Sequence, residues 1–284
     1  MIVEKNIRNG AMRKRSLIKT DIGGFGFAIS IPDKKLYEKI KPFYSGFLTS
    51  KRSDIRIEVR WGSFDAPPAK QISISRGIYG LGRQGRRMFF IMPGKILAHF
   101  DASFKNFHCI LQEKEVTPFL YFQFFLLNNL VARVEGAVLH GCGVEIGEKG
   151  VLFMAPSGGG KTTIGRLFGS DSVVSDETII VSRKNGGFII NPVPWWSKMY
   201  NFNHRDLALD KVFFLEKAAE NAINPANKID AVRKLSNDLI LPLWFPDSIM
   251  SKRQFDFKVN LVKGVPCFDL RFKPTTEVVR FLKR

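Results

Sequence analysis

The chain has 284 residues, 45% of them hydrophobic and 12% aromatic, which suffices for one large folded domain or two ordinary ones and excludes a disordered polypeptide. No apolar run is long enough to span a bilayer, and the polar start MIVEKNIRNGAMRKRS has no cleavable signal pattern, so no transmembrane segment is expected and the predicted setting is cytoplasmic. The net charge of +18 is uneven: residues 1–135 hold 23 of the 44 Lys and Arg and 11 of the 26 Asp and Glu, a net of +12 against +6 for the remainder. Such a surface suits an acidic protein or peptide, an acidic membrane or nucleic acid, or is simply solvated. No helix-turn-helix, zinc-finger or RNA-binding signature accompanies it, which disfavours a primary nucleic-acid role. Cys109, Cys142 and Cys267 are too few and too widely spaced for a disulfide framework or a zinc site and are read as buried thiols.

Along the chain, apolar–polar alternation predicts strands over Phe25 to Ile31, Ile55 to Val59, Met88 to Ile91 and Ile96 to Phe100. A short helix is expected from Pro32-Asp33 to about Ile40, stopped ahead of Pro42. Gly62 to Lys70, with Pro67-Pro68, and Gly77 to Arg87, with four glycines, read as exposed loops. Arg13-Lys14-Arg15 and Arg83 with Arg86-Arg87 are the basic clusters. Residues 1–116 are therefore predicted to form a basic α+β region of mainly antiparallel character.

From Thr117-Pro118, a threonine cap with proline at the first helical position, a largely buried helix is expected to about Val134. Val138 to Ile146 reads as one strand, turning at Gly147-Glu148-Lys149-Gly150 into the strand Val151 to Met154. Further elements are a helix from Lys161 to Phe168 and strands at Val173 to Ser175, Ile179 to Val181, Gly187 to Ile190 and Lys211 to Leu215. A helix from Pro225 to about Leu239 follows, then a hairpin of Phe257 to Val262 and Val265 to Phe272 turning on Lys263-Gly264, and a terminal helix from Thr275 to Leu282. Residues 117–284 are predicted to form one α/β domain, the chain being α+β overall.

The segment VLFMAPSGGGKTTIGR, residues 151–166, carries the chemistry. A buried strand enters a glycine-rich turn and opens a helix on Lys161-Thr162-Thr163, which is the layout of a phosphate-binding loop. Its residues are Ala155, Pro156, Ser157, Gly158, Gly159, Gly160, Lys161, Thr162 and Thr163; Ala155 replaces the first glycine of the strict pattern G-x-x-x-x-G-K-[ST]. Glycines let backbone N–H groups close around an anion, and the helix start adds partial positive charge. Lys161 would reach the outer phosphates and Thr162 help hold Mg²⁺. Asp176 and Glu177, at the tip of an apolar strand, are candidates to complete the Mg²⁺ site or accept a hydroxyl proton. Successive side chains on a strand face opposite ways, so one of the two is expected to face the phosphates. His140 is expected on the strand beside the loop strand, whereas His99, His108 and His204 have no such placement.

The series LHG (139–141), APSGGGKTT (155–163), SDE (175–177), FFLE (213–216) and VPCFDLRF (265–272) resembles the HPr kinase/phosphorylase group, in particular its shorter divergent members, which share a P-loop core with ATP-dependent phosphoenolpyruvate carboxykinases. The resemblance covers about residues 117–284. It implies ATP and Mg²⁺ as cofactors, with Lys161 and Thr162 binding them, Asp176 and Glu177 supplying catalytic base and metal contact, and His140 supporting the site. Glu177 stands where the bifunctional enzymes have a second aspartate, and their glycine-containing dephosphorylation signature is missing, which argues against phosphorylase activity and against HPr as substrate. Pro192-Val193-Pro194-Trp195-Trp196 resembles a proline–tryptophan loop of the divergent members, either lining the acceptor site or packing. The expected function is an ATP-dependent serine kinase, with Asp176 positioned to take the acceptor proton, acting on a protein or peptide acceptor recruited by the basic N-terminal region; a homo-oligomer is compatible with this. The alternatives are a small-molecule kinase, for free serine for example, and a non-catalytic ATP-binding switch or scaffold.

Overall fold

The computed structural model describes residues 16–65, 70–74, 79–112, 115–195, 206–237 and 248–283. Arg13-Lys14-Arg15, Pro67-Pro68, Trp196 and His204 lie outside them. The chain divides into two compact units, Met1–Leu126 and Leu127–Arg284, with the division falling inside the long helix that the Thr117-Pro118 cap announces. Together they give a mixed α/β chain with two mixed sheets and, among the described residues, six α-helices. None of these helices is long and apolar enough to cross a membrane.

The first unit is built on an eight-stranded sheet of β1 (Ser16–Ile22), β2 (Phe25–Ile31), β3 (Ile55–Trp61), β4 (Lys70–Ile74), β5 (Tyr79–Gln84), β6 (Arg87–Met92), β7 (Ile96–Phe100) and β8 (Asn106–Leu111), in the order β1-β2-β3-β8-β7-β6-β5-β4. β3 runs parallel to both β2 and β8, and every other pairing is antiparallel. The alternation of β3, with Ile55, Ile57 and Val59 inward and Arg56 and Arg60 outward, leaves one face for a core. Helices α1 (Lys34–Ile40) and the first part of α2 (Thr117–Val131) belong to this unit. Asp33 caps α1 by accepting from Leu36 N–H at 2.7 Å. Phe122 and Phe125 of α2 lie 5.7 and 5.1 Å from the Phe90 ring, and the Tyr44 hydroxyl donates to Gln123 Oε1.

The expected loop Gly77 to Arg87 is instead, over its described part, the hairpin of β5 and β6, turning at Gly85-Arg86. Its glycines hid the strand: Gly80 and Gly82 interrupt the apolar pattern, yet register sets them across from Ile91 and Phe89, while Tyr79 and Leu81 fill the core. On the other face of the sheet His99 and His108 stack at 4.9 Å. Burial, with His108, Arg87 and Arg60 nearby, pushes the His99 imidazole down to about 4.

The second unit holds the C-terminal end of α2, then β9 (Gly136–Leu139), β10 (Gly141–Ile146), β11 (Lys149–Met154), α3 (Lys161–Phe168), β12 (Val173–Ser175), β13 (Ile179–Lys184), β14 (Gly187–Pro192), β15 (Leu207–Lys217), β16 (Ala222–Pro225), α4 (Lys228–Asn237), α5 (Ser248–Gly264), β17 (Cys267–Phe272) and α6 (Glu277–Leu282). Seven strands run in the order β12-β10-β11-β15-β14-β13-β9, and β17 joins β15 with β16 on its far side. β15 is parallel to both β11 and β17, so the carboxyl ends of these three strands reach the same edge. That edge is where the glycine-rich turn begins.

Several expectations in this unit need correction. Val138 to Ile146 is two strands broken at His140: β9 pairs with β13, whereas β10 pairs with β11 and β12. All residues of β9 and the first four of β10 are buried, so alternation carried no information about the break. Pro225 ends β16, and the helix expected there starts at Lys228, with 238–239 outside the described residues. Cys267 is half-buried, unlike Cys109 and Cys142.

The predicted first strand of the C-terminal hairpin, Phe257 to Val262, is helical and lies within α5. The six residues Phe-Lys-Val-Asn-Leu-Val suit either period, but buried Met250, Gln254, Phe257, Lys258, Leu261 and Val265 recur at helical spacing over a longer window. Gln254 is satisfied by donating to Gly136 O at 2.7 Å. Lys258 is 3% exposed, and burial pushes its ammonium down to about 8.

Because the folded state holds that proton less well than the unfolded chain, the penalty is complete below pH 8 and vanishes above the ordinary lysine value of 10.5. Lys258→Met is therefore expected to stabilise the protein by about 2 kcal/mol at pH 7. Urea titrations should show the gain shrinking as the pH is raised towards 10.5; a loss of stability at pH 7 would contradict it.

Candidate functional site

Val151 to Met154, buried throughout, bring β11 to the sheet edge. The chain then turns tightly, Gly159 N–H donating to Pro156 O at 2.9 Å. Gly158 and Gly160 hold φ of 79° and 107°, in the region that favours glycine, and Gly160 sits at the N-terminus of α3 without a side-chain cap. A Cβ on Gly159 would come within 2.6 Å of the Ala155 methyl. The alanine at the first loop position is thus accommodated by the absence of a side chain at the fifth.

Lys161, 5% exposed, folds its ammonium back onto the loop, donating to Ala155 O at 2.5 Å and Pro156 O at 3.3 Å. Ser157, Gly158, Gly160, Lys161, Thr162 and Thr163 line a cavity of about 310 Å³. Three residues from elsewhere complete it: His140, Glu177 and Lys217. His140 occupies the break between β9 and β10, and its Nε2 lies 3.2 Å from Glu177 Oε1. Glu177 is presented by the turn after β12, which Ser175 closes by donating from Oγ to Thr178 O at 2.5 Å.

The two acids therefore point different ways. Asp176 is fully buried and does not line the cavity, whereas Glu177 does. Asp176 and Lys161 both act on the buried Cys142 thiol: burial pushes that thiol well above its ordinary range, the carboxylate raises it further and the ammonium opposes it. Ala155, Pro156 and Gly159 shape the turn without lining the cavity. Val193 and Trp195 are buried, which favours packing for the proline–tryptophan segment over lining this cavity.

Lys217 is the residue that sequence reading missed. Its only signal was its place two residues beyond the apolar run Val212 to Leu215, at the end of β15, and its relevance depends on β15 being parallel to β11. Among the described residues no group of three or more His, Cys, Asp or Glu side chains could hold a metal ion unaided.

Fold and site together define a mixed α/β protein with a cationic, hydroxyl-bearing cavity built on a glycine turn at the carboxyl edge of parallel strands. The family model described as SynChlorMet cassette protein ScmC matches residues 120–278, more than half of the chain, and the chain belongs to that family. A search of curated proteins gave no match.

Proposed function

We propose that the second unit is a P-loop core of the HPr-kinase type and that the protein transfers the terminal phosphoryl group of ATP to a hydroxyl, a serine on a protein or peptide acceptor. The observation that carries this reading is the convergence of Lys161, Thr162 and the His140–Glu177 pair on one cavity beside the glycine turn. The residues fit a nucleotide polyphosphate. The turn at Gly158 to Gly160 leaves backbone N–H groups at an uncapped helix start, and two lysines and three hydroxyl side chains face the same space. They also fit Mg²⁺ held jointly with phosphate oxygens, since Thr162 and Glu177 line the cavity with Asp176 adjacent in sequence. When bound, Mg²⁺ supplies charge neutralisation at the outer phosphates.

Within this reading Lys161 leaves the loop carbonyls for the outer phosphates, and Thr162 provides a hydroxyl ligand. Glu177, oriented by His140, takes the acceptor proton, while buried Asp176 supports Lys161 and the metal side. Alignment and charge stabilisation carry most of the catalysis. The basic first unit recruits the acceptor, an acidic protein or a leader-bearing peptide; an ATP-dependent reaction is consistent with a cytoplasmic setting. Because the family is described as a cassette protein, products encoded beside this chain are the first acceptors to try.

The test is transfer of labelled phosphate from ATP to those products, to acidic peptides and to free serine, followed by mapping of the modified residue. Label on a protein or peptide hydroxyl is expected. Label on free serine alone would replace the acceptor class, and ATP binding without transfer to any acceptor would leave the switch or scaffold reading.

A further inference from the structure

We infer that Lys217 is a second phosphate-binding cation of this cavity and, resting on the kinase reading above, that it contacts the transferred phosphoryl group. β11 and β15 are parallel, with Met154 opposite Phe214, and β11 leaves the sheet there to form the glycine turn. β15 continues to Lys217, still paired with β17 at Phe272. A rigid strand flanked by parallel neighbours therefore delivers this side chain to the edge from which the loop rises.

The stem of Lys217 passes over the start of α3. A Cβ placed on Gly160 would lie 3.5 Å from Lys217 Cε and 2.6 Å from Phe272 Cζ. Glycine at 160 is thus what lets the lysine and the phenylalanine approach the helix N-terminus. The end of the Lys217 stem thus lies beside a helix start without a side-chain cap, which favours negative charge.

Its chemistry differs from that of the neighbouring lysines. Lys149 and Lys211 pair with Asp210, Lys234 with Asp269 and Lys273 with Glu277. The Lys217 side chain lines the exposed cavity mouth and makes no hydrogen bond or ion pair among the described residues. Lys161, by contrast, is buried and committed to two loop carbonyls. An approaching polyphosphate would meet Lys217 as the cation already available, and Lys161 only after its carbonyl bonds exchange.

In the transfer step the acceptor oxygen forms a bond to the γ-phosphorus while the bond from that phosphorus to the β,γ-bridging oxygen breaks. The electron pair departs with ADP, and the acceptor proton goes to Glu177. Lys217 gives up no proton; it donates hydrogen bonds to the phosphoryl oxygens or the leaving oxygen, where charge accumulates.

The experiment compares wild type, Lys217→Gln and Lys217→Arg for binding of ATP, AMP and inorganic tripolyphosphate, and for single-turnover transfer. For Lys217→Gln, losses of about 10- to 100-fold in ATP and tripolyphosphate affinity are expected, with AMP affinity unchanged and transfer slowed beyond the binding loss. Lys217→Arg should recover most of the binding. If Lys217→Gln binds ATP and transfers phosphate as wild type does, the inference is wrong although the kinase reading survives. If wild type binds tripolyphosphate through Lys217 but transfers nothing from ATP, the phosphate site stands and the kinase reading falls. Binding of neither ligand to wild type would overturn both.

Discussion

Glu177→Gln is expected to slow phosphoryl transfer by about 10²- to 10⁴-fold while leaving the ATP dissociation constant within a fewfold of wild type. The substitution keeps the size of the side chain and its turn, and removes the proton-accepting carboxylate that faces the cavity. Glu177 is the acid that lines this space, and His140 Nε2 holds it from 3.2 Å. His140→Asn should produce a smaller loss, because it disturbs orientation rather than the proton acceptor. The double variant should be little worse than Glu177→Gln alone, since groups acting as a unit lose their contribution together. Single-turnover rates beside equilibrium nucleotide titrations decide this. Full activity in Glu177→Gln would return the proton-accepting role to Asp176, whose complete burial then demands an opening of the site.

The second large effect is structural. Gly160→Ala is expected to destabilise the second unit by about 3 kcal/mol and to abolish ATP binding. Two costs combine: the φ of 107° is unfavourable for any side chain, and the new Cβ would meet Phe272 Cζ at 2.6 Å, in a fully buried ring. Gly158→Ala separates them, because there φ is 79° and nothing lies within 4 Å of the added carbon. That variant should lose only about 1 kcal/mol. Adding Phe272→Leu to Gly160→Ala should restore part of the stability by relieving the collision while leaving the backbone strain. Denaturant melts of the four proteins test the partition; equal losses in the two alanine variants would refute it.

Local signals were legible wherever one short-range force dominated. Asp33 before α1, Pro118 in the first turn of α2 and the glycines before α3 mark helix starts through capping and φ preference, and each helix starts at or next to its predicted residue; Thr117, expected as the cap, is instead the first helical residue of α2, and Val116 O accepts from Leu120 N–H at 3.2 Å. The turn at Gly147-Glu148 lies between β10 and β11 as expected, both residues having positive φ. Reading failed where burial on both sides erased periodicity, as at the His140 break, or where a short window fitted two periods, as at Phe257 to Val262. It also failed in β5, where Gly80 and Gly82 carry no side chains to report a pattern that Phe89 and Ile91 complete from the next strand.

The amino-acid sequence by itself determined the loop, its lysine and hydroxyls, and the existence of an acidic pair and a histidine on either side of it, because these depend on residue type and near neighbours. Tertiary structure alone decided which acid meets the cavity. The three-residue strand β12 and the Ser175–Thr178 contact turn Glu177 towards His140 and leave Asp176 inside. It also decided that Lys217, 56 residues beyond Lys161, belongs to the same site. That proximity comes from the parallel pairing of β11 with β15, a long-range hydrogen-bonded register that no local pattern encodes.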